Sequence, residues 1–437
     1  MIKLCYIKID IICILIIEME INYRGEFILI KRGIIYKLTL IILALGLVTI
    51  KYNKNEEETI KLETQKKTET QQNIEIQIGA VGDVMIHSPQ LDAQYDKNTK
   101  TYNFDNNFEK VKSYIQNLDL SLANLETTLA GGEYTSYPQF NSPDTIITAL
   151  QNTGFDIIST INNHTADKGL IGMTRTLDVI DNHELISVGT RKNTQEKNYE
   201  IKDIEGIKVG VIAYSYGEII DGVKYLNGLR VPEELTDLTN VFDVNDIDTA
   251  SEMIKTTLKE MESENIDISI LSIHWGNEYS REPNDFQKQL AQNLCNEGLD
   301  IIIGSHPHVI QPFEVLKSEI NEEHSTYCFY SLGNFISNQR EELMDSPHTE
   351  DGVIPIITVE KNAENNETSI KEVEYIPTWT NKYYNEDTNK YVYEVLPILG
   401  EKDIKSYEDE IEASLTESIK DTYDIINKYT DEAKLYK

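Results

Sequence analysis

Five short segments of this sequence hold side chains that bind divalent metals or move protons, and each closes a hydrophobic run. Asp83 stands in GAVGDVMIH, Asn124 and Glu126 in LANLETTL, Asn163 and His164 in STINNHTADKG, His274 in LSIHWGNEY, and His306 with His308 in IIIGSHPHV. Carboxylate, amide and imidazole groups are the hard and borderline ligands that a pair of divalent ions needs. Strand ends are where an α/β fold gathers its chemistry. Pro307 fixes its own φ and restricts the residue before it, so SHPHV is expected to run extended. Alternate side chains of an extended chain share a face, which would aim His306 and His308 at adjacent metal positions. Trp275 after His274 reads as an aromatic wall beside a ligand.

Each segment alone has a plainer reading. Asp83 is a candidate helix N-cap. The NNH triplet also makes a polar turn around a core histidine, Asp167 an Asp-turn, and Asn334 of SLGNF a strand-end cap. Ligand-type residues at five strand ends of one sheet favour a metal centre over five unrelated turns.

Such a centre needs a frame that brings strand ends together. Ile74, Ile76 and Ile78 alternate with polar residues and predict a strand ending at Asp83; Leu118, Leu120 and Leu122 predict another leading to Asn124. Buried strands are expected at 155–161, 207–215, 266–273, 299–304 and 326–336, and two late strands at 353–360 and 370–376. Helices are expected at 173–184, at 249–264 and at 284–297, the last with Asn284 as N-cap and Gly298 as stop. Strands alternating with helices predict an α/β sheet architecture.

The chain has 437 residues, 74 acidic against 40 basic, and a net charge of -34. That excludes nucleic acid as a partner, because phosphate backbones need clustered positive charge. It fits a solvated surface kept soluble by self-repulsion. Cys5, Cys13, Cys295 and Cys328 form no CxxC pair, so a zinc knuckle is not expected. Cys295 and Cys328 are either a disulfide of an exported protein or two buried thiols.

Residues 38–50 form an uncharged apolar run preceded by Arg24, Lys31, Arg32 and Lys37. Positive charge stays cytoplasmic, so 34–50 is read as a membrane anchor that exports the rest of the chain, with a cleaved signal as the alternative. Residues 1–33 are an apolar segment interrupted by acids, either a second hydrophobic element or an over-long start. Residues 51–73 read as a polar stalk. Residues 74–400 form the folded domain, and 401–437 a single acidic amphipathic helix solvated on one face.

The order GDVM, NLETTL, NNHTADKG, HWGNEY, GSHPHV and SLGNF resembles the CapA, or PgsA-like, family of bacterial capsule and poly-γ-glutamate biosynthesis proteins, from about Ile74 to Thr358. The resemblance implies the fold of the calcineurin-like metallophosphoesterases, two β-sheets flanked by helices. It implies one or two divalent ions (manganese, zinc or iron) held by Asp83, Glu126, Asn163, His274, His306 and His308. It implies His164 as the acid that protonates a leaving group, with Asp167 orienting its ring, and Asn124 and Asn334 at the substrate. Two positions depart from the phosphoesterase pattern: Met85 stands where a histidine is expected, and the bridging carboxylate is Glu126 rather than Asp. His87 is a possible substitute for the missing ligand. The implied protein is a cell-membrane, extracytoplasmic metallohydrolase. Its expected partners are other capsule-synthesis membrane proteins and an anionic polymer. The alternatives are a non-catalytic assembly or export subunit that keeps the fold, and a secreted phosphoesterase unrelated to capsule.

Overall fold

The computed structural model describes residues 36–44, 46, 49, 51, 73–344, 346–407 and 411–437. Residues 36–44 are helical and exposed. Among the described residues no helix is long and apolar enough to cross a membrane. The anchor expected at 34–50 is described only in part. The segment expected at 1–33 lies outside the described residues, as does nearly all of the stalk.

Ten strands frame the unit that begins at Gln72. They are β1 (Ile74–Val84), β2 (Leu120–Leu125), β3 (Ile157–Ser159), β4 (Ile207–Ile220), β5 (Ile268–His274), β6 (Ile301–Ser305), β7 (Ser325–Phe329), β8 (Asn334–Ile336), β9 (Asp351–Lys361) and β10 (Thr368–Asn385). One nine-stranded sheet runs Lys390–Pro397, β10, β9, β1, β2, β3, Ile186–Val188, with β8 beside β1 and Ala433–Leu435 beside β10. The other runs Leu229–Arg230, Val223–Leu226, β4, β5, β6, β7, Phe313–Lys317, with Glu200–Ile204 and Val241–Asp243 also on β4. Neighbours β1, β2 and β3 are parallel, as are β4 through β7; β9 and β10 are antiparallel additions.

Strand periodicity divides the core. Ile76 and Ile78 of β1 meet Val209 and Val211 of β4, Ile268 and Ile270 of β5, and Ile301 of β6 in one cluster between the sheets. The outer faces take helices. Helices α1 (Thr145–Thr153) and α2 (Gly169–Asn182) cover the first sheet, where Ile147, Leu150 and Ile180 pack on Ala123, Leu125 and Ile158. Helices α3 (Ile247–Glu262) and α4 (Asp285–Asn296) cover the second, where Ile254, Leu258 and Leu294 pack on Ile212, Leu271 and Ile302. The result is the expected α/β arrangement of two mixed sheets flanked by helices. Helix α4 starts as predicted: Asn284 and Gln287 form a reciprocal capping box, and Gly298 at φ 98° turns the chain away after the end.

Two expected elements differ. Residues 326–336 are not one strand. Strand β7 belongs to the second sheet, β8 to the first, and the chain crosses between them. Gly333 makes the crossing possible: it sits at φ 70°, and a Cβ there would lie 2.5 Å from the Asp351 carbonyl oxygen. Apolar residues on both sides of it hide this break. Residues 401–437 are also not one solvated helix. They form Glu401–Ile404, helix α5 (Glu412–Ile426) and the strand Ala433–Leu435, which pairs with β10. Ile425 and Ile426 join the core between the sheets, while acidic side chains face outward. Cys295 and Cys328 are free, buried thiols.

Candidate metal centre

Parallel register lines up the ligand residues. Asp83 at the end of β1 pairs with Asn124 of β2 on one side and with Asn334 of β8 on the other. His274, the last residue of β5, pairs with Ser305, the last of β6. Asn163 and His164 follow β3, and His306 and His308 follow β6. The centre therefore lies where the carboxyl ends of parallel strands from both sheets meet.

The side chains converge there and are all buried. The Asp83 carboxylate accepts from Asn124 Nδ2 at 2.7 Å and from the His306 backbone N–H at 3.2 Å, and lies 3.2 Å from His308 Nδ1. His274 Nε2 lies 3.0 Å from Asn163 Oδ1 and 3.5 Å from Glu126 Oε1. Its Nδ1 lies 2.9 Å from Ser305 Oγ. Two groups of potential ligands, Asp83–Glu126–His274 and Glu126–His306–His308, each have their atoms within 4.8 Å of one another. Glu126 belongs to both.

SHPHV is not extended. His306 sits at φ 99° and His308 at φ 58°, in a bend. Pro307 restricts only the backbone before it and its own φ, so neither histidine is forced into a strand. The two rings still face the centre, 5.9 Å apart, because the Asp83 carboxylate grips His306 through its N–H and His308 through its ring. Asp83 is no N-cap either; the next helix is capped by His87.

The electrostatics match a cation that these atoms would share. Both Glu126 oxygens, His306 Nδ1 and Asn163 Nδ2 are buried without a hydrogen-bond partner. Such a group typically costs about 1–3 kcal/mol, which a divalent ion would relieve at Glu126 and His306. Burial, with the Asp83 charge beside it, pushes the Glu126 carboxyl well above its ordinary range. Burial also raises Asp83, but His308, His274 and Asn124 outweigh it and hold that carboxyl below normal. Burial depresses the His274 imidazole to about 4 and His306 well below its usual value, leaving both in the neutral form that ligates. Burial lowers His308 too, yet Glu126 and Asp83 carry it up to about 9.

Residues 77–339 match the family described as "Bacterial capsule synthesis protein PGA_cap". The chain belongs to the PGA_cap family. It is 26% identical over 279 residues to "Capsule biosynthesis protein CapA" of Bacillus anthracis, covering 61% of this chain and 61% of that one. It is 27% identical over 267 residues to "PGA biosynthesis protein CapA" of Bacillus subtilis (strain 168), covering 59% of this chain and 62% of that one. The match thus spans less than two thirds of these curated relatives. Among solved structures, the calcineurin-like phosphoesterase YfkN from Bacillus subtilis is similar at a TM-score of 0.40 and 16% identity, over 79% of this chain and 100% of that one.

In this PGA_cap chain a cavity of about 690 Å³ opens in front of the centre, lined among others by Met85, His87, His164, Glu278, Tyr279 and His308. His164 Nδ1 lies 2.8 Å from Asp167 Oδ2, which also accepts the Phe140 backbone N–H at 2.6 Å. The Phe140 ring stands edge-on to His164 at 4.7 Å. Asp167 and Phe140 thus hold the imidazole in one orientation, with Nε2 left for the cavity.

Asn124 and Asn334 do not line the cavity. Asn124 bridges Asp83 and, at 3.3 Å, His274 Nδ1, while its oxygen accepts from Asn162. Asn334 Oδ1 lies 3.1 Å from His308 Nδ1, and its Nδ2 donates to Gln339 and to the Thr349 carbonyl. Both stand behind the ligands and orient them. The Met85 thioether offers a hard ion little. His87 does not replace it, since its Nδ1 accepts the Asn338 N–H at 3.3 Å and its ring packs on Phe140.

Sequence reasoning missed Ser305, Asn162, Tyr216 and Tyr279. Tyr216 packs its ring 4.6 Å from His306. Asn162 is the first residue of the NNH triplet, and only its role went unassigned; a lone serine or tyrosine carries no such signal. The segment just after Tyr279 is also tied to α5 and the residues that follow it. Arg281 pairs with Asp421 of α5, and Glu282 pairs with Lys428 and Tyr429. His348 bridges Asp421 and Asp351.

Proposed function

We propose that this chain is an extracytoplasmic, metal-dependent hydrolase-like component of capsule or poly-γ-glutamate biosynthesis, held at the cell membrane by residues 34–50. Its partners in this reading are other capsule-synthesis membrane proteins and an anionic polymer. The observation that carries the catalytic part is Glu126, a buried carboxylate with two unpartnered oxygens shared by two ligand groups. The names of the relatives from Bacillus supply the biosynthetic context.

Asp83, Glu126, Asn163, His274, His306 and His308 would hold the ions. Divalent ions at such a centre supply Lewis acidity and an activated water. Asn124, Ser305 and Asn334 fix the ring and carboxylate directions. His164, its Nδ1 turned to Asp167, offers Nε2 to hold or release a proton at the leaving group. Phe140, edge-on to that ring, fixes its orientation.

Elemental analysis of the purified chain after manganese or zinc loading tests this, against His306→Ala and His308→Ala. Up to two ions are expected in the wild type and fewer in each variant. An ion-free wild type would overturn the catalytic reading and favour the assembly or export subunit. Met85, a thioether where a hard ligand is expected, is the observation on that side.

A further inference from the structure

The cavity's own charges are informative. Among the described residues its lining contains three histidines and one carboxylate, Glu278, and neither lysine nor arginine. A wall built to follow a polyanion would place cations along its length. This lining places no lysine or arginine there, and the chain around it carries a net charge of -34.

Glu278 is exposed, and no described residue pairs with it by hydrogen bond or ion pair. An exposed glutamate is ordinarily just a solvated surface group. Glu278 differs because it lines the cavity next to Tyr279 and His308. Tyr279, its neighbour, is fixed in place. Its N–H donates to the Pro307 carbonyl at 2.7 Å, its hydroxyl accepts from Gln339 at 3.3 Å, and its ring lies 6.0 Å from that of His308. It holds φ 61°, a conformation that a bulky residue adopts only when its surroundings impose it. Tyr137 stands on the same cavity with 77% of its surface exposed. A carboxylate that shares a cavity with two tyrosine rings offers a receptor for an ammonium group.

We propose that Glu278, with the faces of Tyr279 and Tyr137, binds a primary ammonium group, so that the cavity takes the amino end of a carboxylate-rich, amide-linked chain and not an internal run of it. This rests on reading the centre as metal-dependent and hydrolase-like. A chain end places one ammonium on Glu278 and brings its first acyl group toward the ligands. An internal run would bring carboxylates against Glu278, with neither lysine nor arginine in the lining to meet them.

The test uses the full chain loaded with manganese and a short γ-linked glutamate oligomer, with its amino terminus free or acetylated. Isothermal titration should show the free amine binding about tenfold tighter than the acetylated form, the scale of a combined ion pair and cation–π contact. Glu278→Gln should abolish that difference and leave manganese content and melting temperature unchanged. Equal or tighter binding of the acetylated oligomer overturns the proposal, and so does a full preference kept by Glu278→Gln. Manganese content is measured on the same samples. A preference present in protein that holds no manganese supports the ammonium site and removes the hydrolase reading.

Discussion

Glu126 Oε1 and His274 Nε2 lie 3.5 Å apart although the first follows a strand of one sheet and the second ends a strand of the other. The contact marks the seam where the two sheets open at their carboxyl ends. Polar groups are tolerated there because they satisfy one another, apart from the few atoms left for an ion.

Glu126→Gln should separate stability from ion binding. The folded protein without metal holds Glu126 well above the unfolded value near 4.5. Below that value both states are protonated. As pH rises through it, the unfolded chain loses its proton first and the metal-free protein loses stability, until the folded pKa is passed. The variant should lack this loss, melt higher than wild type in chelator at neutral pH, and gain little on adding manganese. Calorimetric melting across pH, with and without manganese, reads all three.

His164→Ala should lower function by about 10²–10⁴-fold, the usual worth of general acid help. Metal content should be unchanged, because His164 belongs to neither ligand group. Polymer output in cells, paired with melting and metal analysis of the purified variant, measures this. Normal output with metal bound would show that His164 is not the acid.

His348 should make the attachment of α5 sensitive to alkali. The Asp351 carboxylate, hydrogen-bonded to the ring at 3.1 Å, raises its pKa in the fold. That stabilisation is fully present below the unfolded pKa of about 6.5 and is lost as pH rises through the folded value. The melting difference between wild type and His348→Gln should therefore shrink from pH 6 to pH 9. A constant difference would show that the charge contributes nothing.

Leu415→Ala should destabilise the whole domain by about 2–5 kcal/mol. Leu415 is fully buried against Trp379, Leu396, Ile398 and Ile404. Urea titration should show one transition at lower midpoint, with circular dichroism and tryptophan fluorescence coinciding. A separate early loss of helix would mean that α5 is dispensable.

Protease added to intact protoplasts should remove the folded domain if residues 34–50 direct export as proposed. Full protection would redirect attention to residues 1–33.

Much of the frame was legible because periodicity and register are local. Alternating isoleucines marked β1, and a capping pair with a glycine stop marked α4. The candidate residues were legible because Asp83, His274 and their like end hydrophobic runs. The rest was set by distant partners, which no local pattern reveals. Asn124 and Asn334 looked like groups for a substrate, yet their amides are spent on ligands from other segments. The crossing at Gly333 looked like strand because apolar residues flank it, Cys328, Phe329, Tyr330 and Leu332 before it and Phe335 and Ile336 after it. The bend at His306 and His308 is imposed by Asp83, a residue 223 positions earlier.

Arg281 and Asp421 are separated by 140 residues of sequence, and that distance orders events in time. The loop bearing Glu278 and Tyr279 is secured by α5, which follows every ligand residue in the chain. A chain still leaving the ribosome carries every ligand from Asp83 to His308 before it has Asp421 or Lys428. Long-range contacts of this kind form late. The anchor beside that loop therefore forms only once α5 has been made, so a chain that stops before Asp421 holds its ligands without it.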